Sequence, residues 1–391
     1  MRGRLSFANM SKATRTRLLS IGALGAGILF FWLARQIRPS PASAAAPPTG
    51  ADLAAAVIRL IRADYVEEPN AKTTMEGGFR GMIGSLDVLS SYLDKEAARK
   101  RADAALPDYQ DIGLILFKRA SAFPLVVGVV EGSPAAKAGL EAGDTVSAIN
   151  DASTILPGLS EIRLLLKSAG ADPVKVRIIR NNATKDISVP RGRIYEKSYA
   201  FSAQAGTAGV LSPAHFYPPL VDELRKSLPQ ALAGKTLPLI IDLRYAFEGD
   251  NEEARRFINL FVQTEAAGHF EMKGGAKEAM ACPDPAPLAG QPLILWVSHA
   301  TMGPAEIAAA CLKELRGAKV VGSLTPGLTA RQQAFPLSGG DELLLTTAVF
   351  ATASGAKVWS KGVTPDVKVE AAVSDRKAYL DKTAGLLARR P

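Results

Sequence analysis

The stretch Pro292–Gln332 limits most narrowly what this chain can fold into. Leu293–Val297 is an apolar run of strand length, and His299–Pro304 carries turn chemistry with Gly303-Pro304 as the breaker. Ala305–Arg316 then repeats Ile307, Cys311, Leu312 and Leu315 at helical spacing. Lys319–Gly322 returns as a second buried strand, and a glycine-rich loop leads to Gln332. A strand-to-helix turn exposes a side chain beside the positive end of the helix, which is where many hydrolases carry a nucleophile. The most exposed position of this turn is Gly303, which has no side chain to offer.

The rest of the chain bounds the setting. Its 391 residues suffice for two or three domains, and 47% apolar content supports a sizeable core. Arg2, Arg4, Lys12, Arg15 and Arg17 precede the uncharged run Leu18–Ala34, which lies at the short end for a bilayer span. Basic residues on that side predict a cytoplasmic N-terminus and export of the chain beyond the run. Arg35 and Arg38 suit a retained single-pass anchor in the cell membrane, whereas Ala42-Ser43-Ala44 resembles a signal-peptidase site that would release a secreted protein. Both readings stay open. The remaining basic residues behind the net charge of +9 are scattered, so no nucleic-acid partner is expected. Cys282 and Cys311 could form one disulfide or stay as two buried thiols, and no spacing suggests a metal or other cofactor.

The chain divides into a basic tail (1–17), the anchor or signal (18–34), a Pro/Ala/Ser linker (35–50), a helical segment (51–106), a small β-domain (107–194), an α/β core (195–372) and a tail (373–391). In the helical segment, Leu53, Val57, Leu60 and Ile61 form one apolar stripe, and Met75, Phe79, Met82, Ile83 and Leu86 a second. The β-domain holds a glycine turn running into a strand (Tyr109–Phe117), a strand at Leu125–Val130, and a short helix capped by Ser133 with Pro134 at its first position. A strand in Gly139–Asn150, an amphipathic helix at Ser160–Ser168 and strands at Val174–Arg180 and Asp186–Val189 complete it. That order, and SPAAKAGLEAGDTVSAIN in particular, resembles a PDZ domain. The resemblance implies peptide binding by strand addition, with a carboxylate loop at Ile112-Gly113-Leu114 and a pocket lined by Ile162 and Leu166.

Several separated stretches resemble the carboxyl-terminal processing peptidases, the S41 family of serine peptidases. They are FRGMIGSLDVLSSYLD (Phe79–Asp94), LIIDLR (Leu239–Arg244), ELLLTTAVFATASG (Glu342–Gly355) and KGVTPDV (Lys361–Val367). The resemblance implies a crotonase/ClpP-like α/β core with an inserted PDZ domain and a helical N-terminus; the run 18–34, read as an anchor, adds one transmembrane helix. It also implies a serine nucleophile on the turn, a buried neutral lysine as base, a glutamine that orients the lysine, and an oxyanion hole of backbone N–H groups. The family's turn Gly-Ser-Ala-Ser-Ala-Ser-Glu is here Ala300-Thr301-Met302-Gly303-Pro304-Ala305-Glu306, which puts Gly303 at the nucleophile position. Its loop Gly-x-x-Thr-x-Gly-Lys-Gly-x-x-Gln is here Gly322–Gln332, with Leu328 at the lysine position and Gln332 retained. Near the oxyanion hole, Glu248 replaces one of two glycines, and a carboxylate there would repel a developing oxyanion.

These departures predict a membrane-tethered, exported relative of the peptidases that binds C-terminal peptide segments of exported or envelope proteins without cutting them. Its partners would include an active S41 relative or a second copy of itself through the N-terminal helices. Two other readings remain open. One is an active peptidase with a shifted hydroxyl nucleophile, Thr301 or Ser298, with His299 as the nearby base. The other is a structural envelope scaffold.

Overall fold

A computed structural model describes residues 49–103, 110–204, 208–232 and 237–387. The expected anchor or signal at 18–34 and its basic flank lie outside the described residues, and no helix among the described residues is long and apolar enough to cross a membrane. The chain divides after Asn70 into two units. The first contributes the helix Gly50–Asp64, opened by a capping box in which Thr49 Oγ1 accepts from Asp52 N–H and Asp52 Oδ2 accepts from Thr49 N–H. No residue of this helix is buried, and Leu53, Val57 and Leu60 are all exposed.

The second unit is built around a six-stranded sheet in the order Val367–Lys368, Lys319–Gly322, Leu293–Val297, Leu239–Asp242, Ala208–Pro213, Tyr199–Gln204. All neighbours are parallel except the last pair. Leu293–Val297 is buried at every position, as a central parallel strand covered on both faces must be. Its side chains alternate between two cores. Leu293, Leu295 and Val297 join the large cluster that includes Phe257, Phe261, Ile307 and Leu312. Ile294 and Trp296 join a smaller one with Tyr379. The C-terminal helix Arg376–Leu387 covers that second face, where Trp296 Nε1 donates to Thr383 Oγ1 at 2.8 Å. The helix Pro304–Arg316 has proline at its first turn and ends on Gly317 in the left-handed region (φ 59°).

The β-domain is a sheet in the order Leu114–Phe117, Leu125–Val129, Thr145–Ile149, Val174–Arg180, Ala183–Val189, with Ala152–Ser153 beside Thr145–Ile149 and the helices Pro134–Lys137 and Leu159–Leu166 against it. Leu114–Phe117 pairs on one side only in this sheet. A third sheet pairs Glu342–Thr352 with Ser91–Leu93, Thr264–Met272 and Ala330–Pro336, and Thr264–Met272 with Lys277–Cys282.

Several expectations change here. The segment 51–106 is not helical throughout, because Ser91–Leu93 is fully buried and pairs antiparallel with Glu342–Leu344. Gly268–Pro287, whose polar, Gly/Pro-rich composition alone suggests an irregular excursion, is largely strand up to Cys282, its Ala, Glu and Lys side chains decorating an antiparallel pair with one partly solvated face. The helix that the sequence suggests over Glu252–Thr264 stops at Ile258, where Asn259 Nδ2 donates to Val262 O and Asp284 O and turns the chain. Of Lys361–Val369, the stretch that closes the core, only Val367–Lys368 is strand. Cys282 and Cys311 are free, buried thiols that donate to Arg255 O and Ala267 O, so no disulfide joins them.

Candidate functional site

The turn after Leu293–Val297 is wired by two hydroxyls. Ser298 Oγ donates to Arg244 O at 2.6 Å and accepts from Ala300 N–H. Thr301 Oγ1 donates to Leu243 O at 2.7 Å and accepts from Ser298 N–H. Both residues are completely buried, and their protons are committed to backbone carbonyls. His299 points to solvent. The shifted-nucleophile arrangement therefore has no free hydroxyl at this turn.

Gly303 follows, at φ 57° and ψ −118°, a conformation costly for residues with a side chain. A Cβ built on it would meet only Leu328 O, at 3.8 Å. The two positions that the resemblance assigns to a nucleophile and its base are thus neighbours in space, and they hold Gly303 and a buried leucine. Leu328, Met302 and Ala300 belong to the same apolar cluster as the β-domain residues Ile112, Leu114, Ile162 and Leu166, so the turn and the β-domain share one core.

Glu306 fixes this geometry. From the first turn of Pro304–Arg316, its Oε1 accepts from Thr325 Oγ1 at 2.5 Å and Gly327 N–H at 2.6 Å. Its Oε2 accepts from Leu328 N–H at 2.7 Å and Gly303 N–H at 3.1 Å. One carboxylate therefore ties the turn to the loop. Its complete burial pushes its carboxyl up to about 7, and the four donors pull it back only in part. A folded-state value above the ordinary carboxylate range contributes stability that is fully present below about pH 4.5 and is lost as pH rises through about 7. Across that window the loss is about 3 kcal/mol. Urea midpoints measured from pH 5 to pH 8 are expected to fall, and Glu306→Gln is expected to flatten that slope; an unchanged slope in the variant would remove Glu306 as its source.

Gln332 does not point at position 328. Its Nε2 donates to Leu89 O at 2.9 Å and its Oε1 accepts from Ser160 Oγ at 3.2 Å, which links the helix Leu159–Leu166 to the core. Glu248 is not a lone negative charge either. Lys167 Nζ lies 2.5 Å from its Oε1 and 3.9 Å from Asp111 Oδ2. Burial works against the Lys167 ammonium, but Glu248 and Asp111 hold it protonated above its usual range. The expected repulsion of an oxyanion is thus compensated in place by an ion pair. Arg163 completes the group, with Nη2 3.1 Å from Met302 Sδ and its guanidinium 5.9 Å above the Phe247 ring. Arg163, Lys167, Tyr195, Glu248, Gly303 and Leu328 all line one cleft of about 2320 Å3.

The peptide-groove candidates are present but closed. Ile112, Leu114, Ile162 and Leu166 are between 0% and 3% exposed, so as they stand they are core residues. Gly113 has φ 84°, and a Cβ there would fall 2.4 Å from Ser133 Cβ. The glycine is required by its own neighbour whatever binds. Asp111, Arg163 and Lys167 do not stand out in the sequence; the available signal is an aspartate two residues before the loop glycine.

Two stretches of the chain match known protein families. Residues 210–369 match peptidase family S41 and residues 125–180 match a PDZ domain. The chain is 28% identical over 324 residues to the carboxy-terminal processing protease CtpA of Bacillus subtilis, covering 82% of this chain and 69% of that one. It is 26% identical over 339 residues to a carboxy-terminal-processing protease of Bartonella bacilliformis, covering 84% and 77%. The solved structure of a photosystem II D1 C-terminal processing protease shares the fold, with a TM-score of 0.67 at 18% identity over 85% of this chain and 90% of that one.

Proposed function

We propose that this chain, whose residues 210–369 match peptidase family S41 and whose residues 125–180 match a PDZ domain, holds extended peptide segments and does not cut them by a serine–lysine mechanism. One observation carries the reading. The two positions where a hydroxyl and an amine would have to meet are adjacent, and they hold Gly303 and Leu328. Glycine offers no nucleophile and leucine no proton acceptor, and losing a member of such a unit costs on the order of a millionfold in turnover. The rival reading, a shifted nucleophile, is disfavoured by the hydrogen bonds that Ser298 and Thr301 already donate.

The peptide-binding part of the reading draws on the strand Leu114–Phe117, which has no second strand partner among the described residues, the side that strand addition would use. The ligands would be segments of exported or envelope proteins, with residues 18–34 tethering the chain to the membrane. The proposal extends to an active relative or a second copy as partner through the N-terminal helices, where Leu53, Val57 and Leu60 are exposed.

The test is hydrolysis of an unfolded protein with an apolar C-terminus, read by gel electrophoresis. No cleavage above buffer is expected, and none in Ser298→Ala or Thr301→Ala. Turnover by the wild type that either substitution abolishes would overturn the proposal in favour of a shifted nucleophile.

A further inference from the structure

The loop that a peptide's terminal carboxylate would enter already holds a carboxylate. Asp111 Oδ1 accepts from Ile112 N–H at 2.5 Å and from Gly113 N–H at 3.0 Å. These are two of the amides expected to receive a ligand. Asp111 is 6% exposed and is held on both sides by main-chain bonds. Asp111 and Gly192 exchange N–H···O bonds at 3.0 and 2.9 Å, and the adjacent Gln110 and Ser168 exchange theirs at 2.8 and 3.0 Å. Lys167, 3.9 Å from Asp111 Oδ2, is already committed to Glu248 at 2.5 Å, and the buried Arg163 faces the same two carboxylates. A free C-terminus would therefore bring a third carboxylate to a buried place where Asp111 and Glu248 already face Lys167 and Arg163, and where two of the loop amides are taken.

We propose that Asp111 is the specificity-determining residue of this groove: its side chain stands in for a ligand's terminal carboxylate, and the groove selects internal extended segments or uncharged chain ends over free C-termini. The outer edge of Leu114–Phe117 is unaffected, because main-chain pairing along a strand needs no terminal charge. This revises the expectation of C-terminal ligands, and it rests on the strand-addition reading above.

Fluorescence anisotropy of the full-length chain with a labelled apolar peptide tests it, using the peptide as free acid, as C-terminal amide, and extended by several residues. The wild type is expected to bind the amide and the extended peptide at least as tightly as the acid. Asp111→Gly, which vacates the two amides, is expected to shift the ratio toward the acid by about tenfold or more. Asp111→Asn keeps an acceptor on both amides and is expected to stay unselective for the acid, which separates occupancy from loss of fold. A wild-type preference for the acid of about tenfold, or an unchanged ratio in a folded Asp111→Gly protein, overturns the assignment while leaving strand addition standing. Absence of binding to all three peptides by wild type and Asp111→Gly alike overturns strand addition itself, and the role of Asp111 with it.

Discussion

Gly303→Ser combined with Leu328→Lys is expected to make the turn reactive toward a fluorophosphonate, with labelling about a hundredfold or more above wild type, whereas each single substitution stays at the wild-type level. The space exists, because a Cβ at Gly303 meets nothing nearer than Leu328 O at 3.8 Å. The backbone at Gly303 stands at φ 57° and ψ −118°, so a serine there costs about 1–3 kcal/mol of strain, which a core of this size tolerates. Position 328 is 7% exposed, and its N–H is pinned to Glu306. A lysine placed there loses hydration and gives up its proton more readily, as a base must. Serine without that amine, or the amine without serine, lacks half of the unit. A folded double variant that stays unlabelled would mean that this turn has lost the geometry of the dyad as well as its residues.

Glu306→Leu is expected to be the most damaging single change near the site. It leaves Gly303 N–H, Gly327 N–H, Leu328 N–H and the Thr325 hydroxyl without their acceptor in a place closed to water. Each such group costs about 1–3 kcal/mol when stranded, and partial relaxation brings the expected total to roughly 4 kcal/mol. Thermal unfolding should move down by about 8–16 °C for a domain of this size. Weakened protection from hydrogen exchange should centre on Thr325–Leu328 and on Val363, whose N–H is bonded to Thr325 Oγ1. A variant that melts within about 2 °C of wild type would show that the carboxylate's desolvation had cancelled its four bonds.

The fold was legible where apolar runs and breakers set it. Leu293–Val297 and Lys319–Gly322 are strands with the bounds that their side chains suggest, and Gly303-Pro304 opens the helix between them. What the sequence hid was long-range pairing. Ser91–Leu93 sits in a stretch that scans as helix, and only its partner in Glu342–Thr352 makes it a strand. Thr264–Met272 and Lys277–Cys282 carry charges that suggest a loop until their partly solvated antiparallel pairing is seen. At the site, absence was easy to read: a glycine and a leucine announce what they lack. Compensation was not. Glu248 reads as a stray carboxylate until Lys167, far away in sequence, closes on it, and Gln332 reads as a retained catalytic aid until its amide is found bonding Leu89 and Ser160. Charge partners of this kind are properties of the assembled fold, and no local pattern records them.

The pairing of Ser91–Leu93 with Glu342–Leu344 also sets an order of events. During synthesis the first of these strands emerges early, and its partner appears only after the β-domain and nearly all of the α/β core have been made. Until then three residues destined for full burial have no sheet to join. The β-domain between them has its own local contacts and can form meanwhile, but Ser91–Leu93 must stay unpaired until Glu342–Leu344 has been made. Chains truncated before Glu342 should therefore expose a short, sticky edge however well their middle has folded, open to capture by other chains.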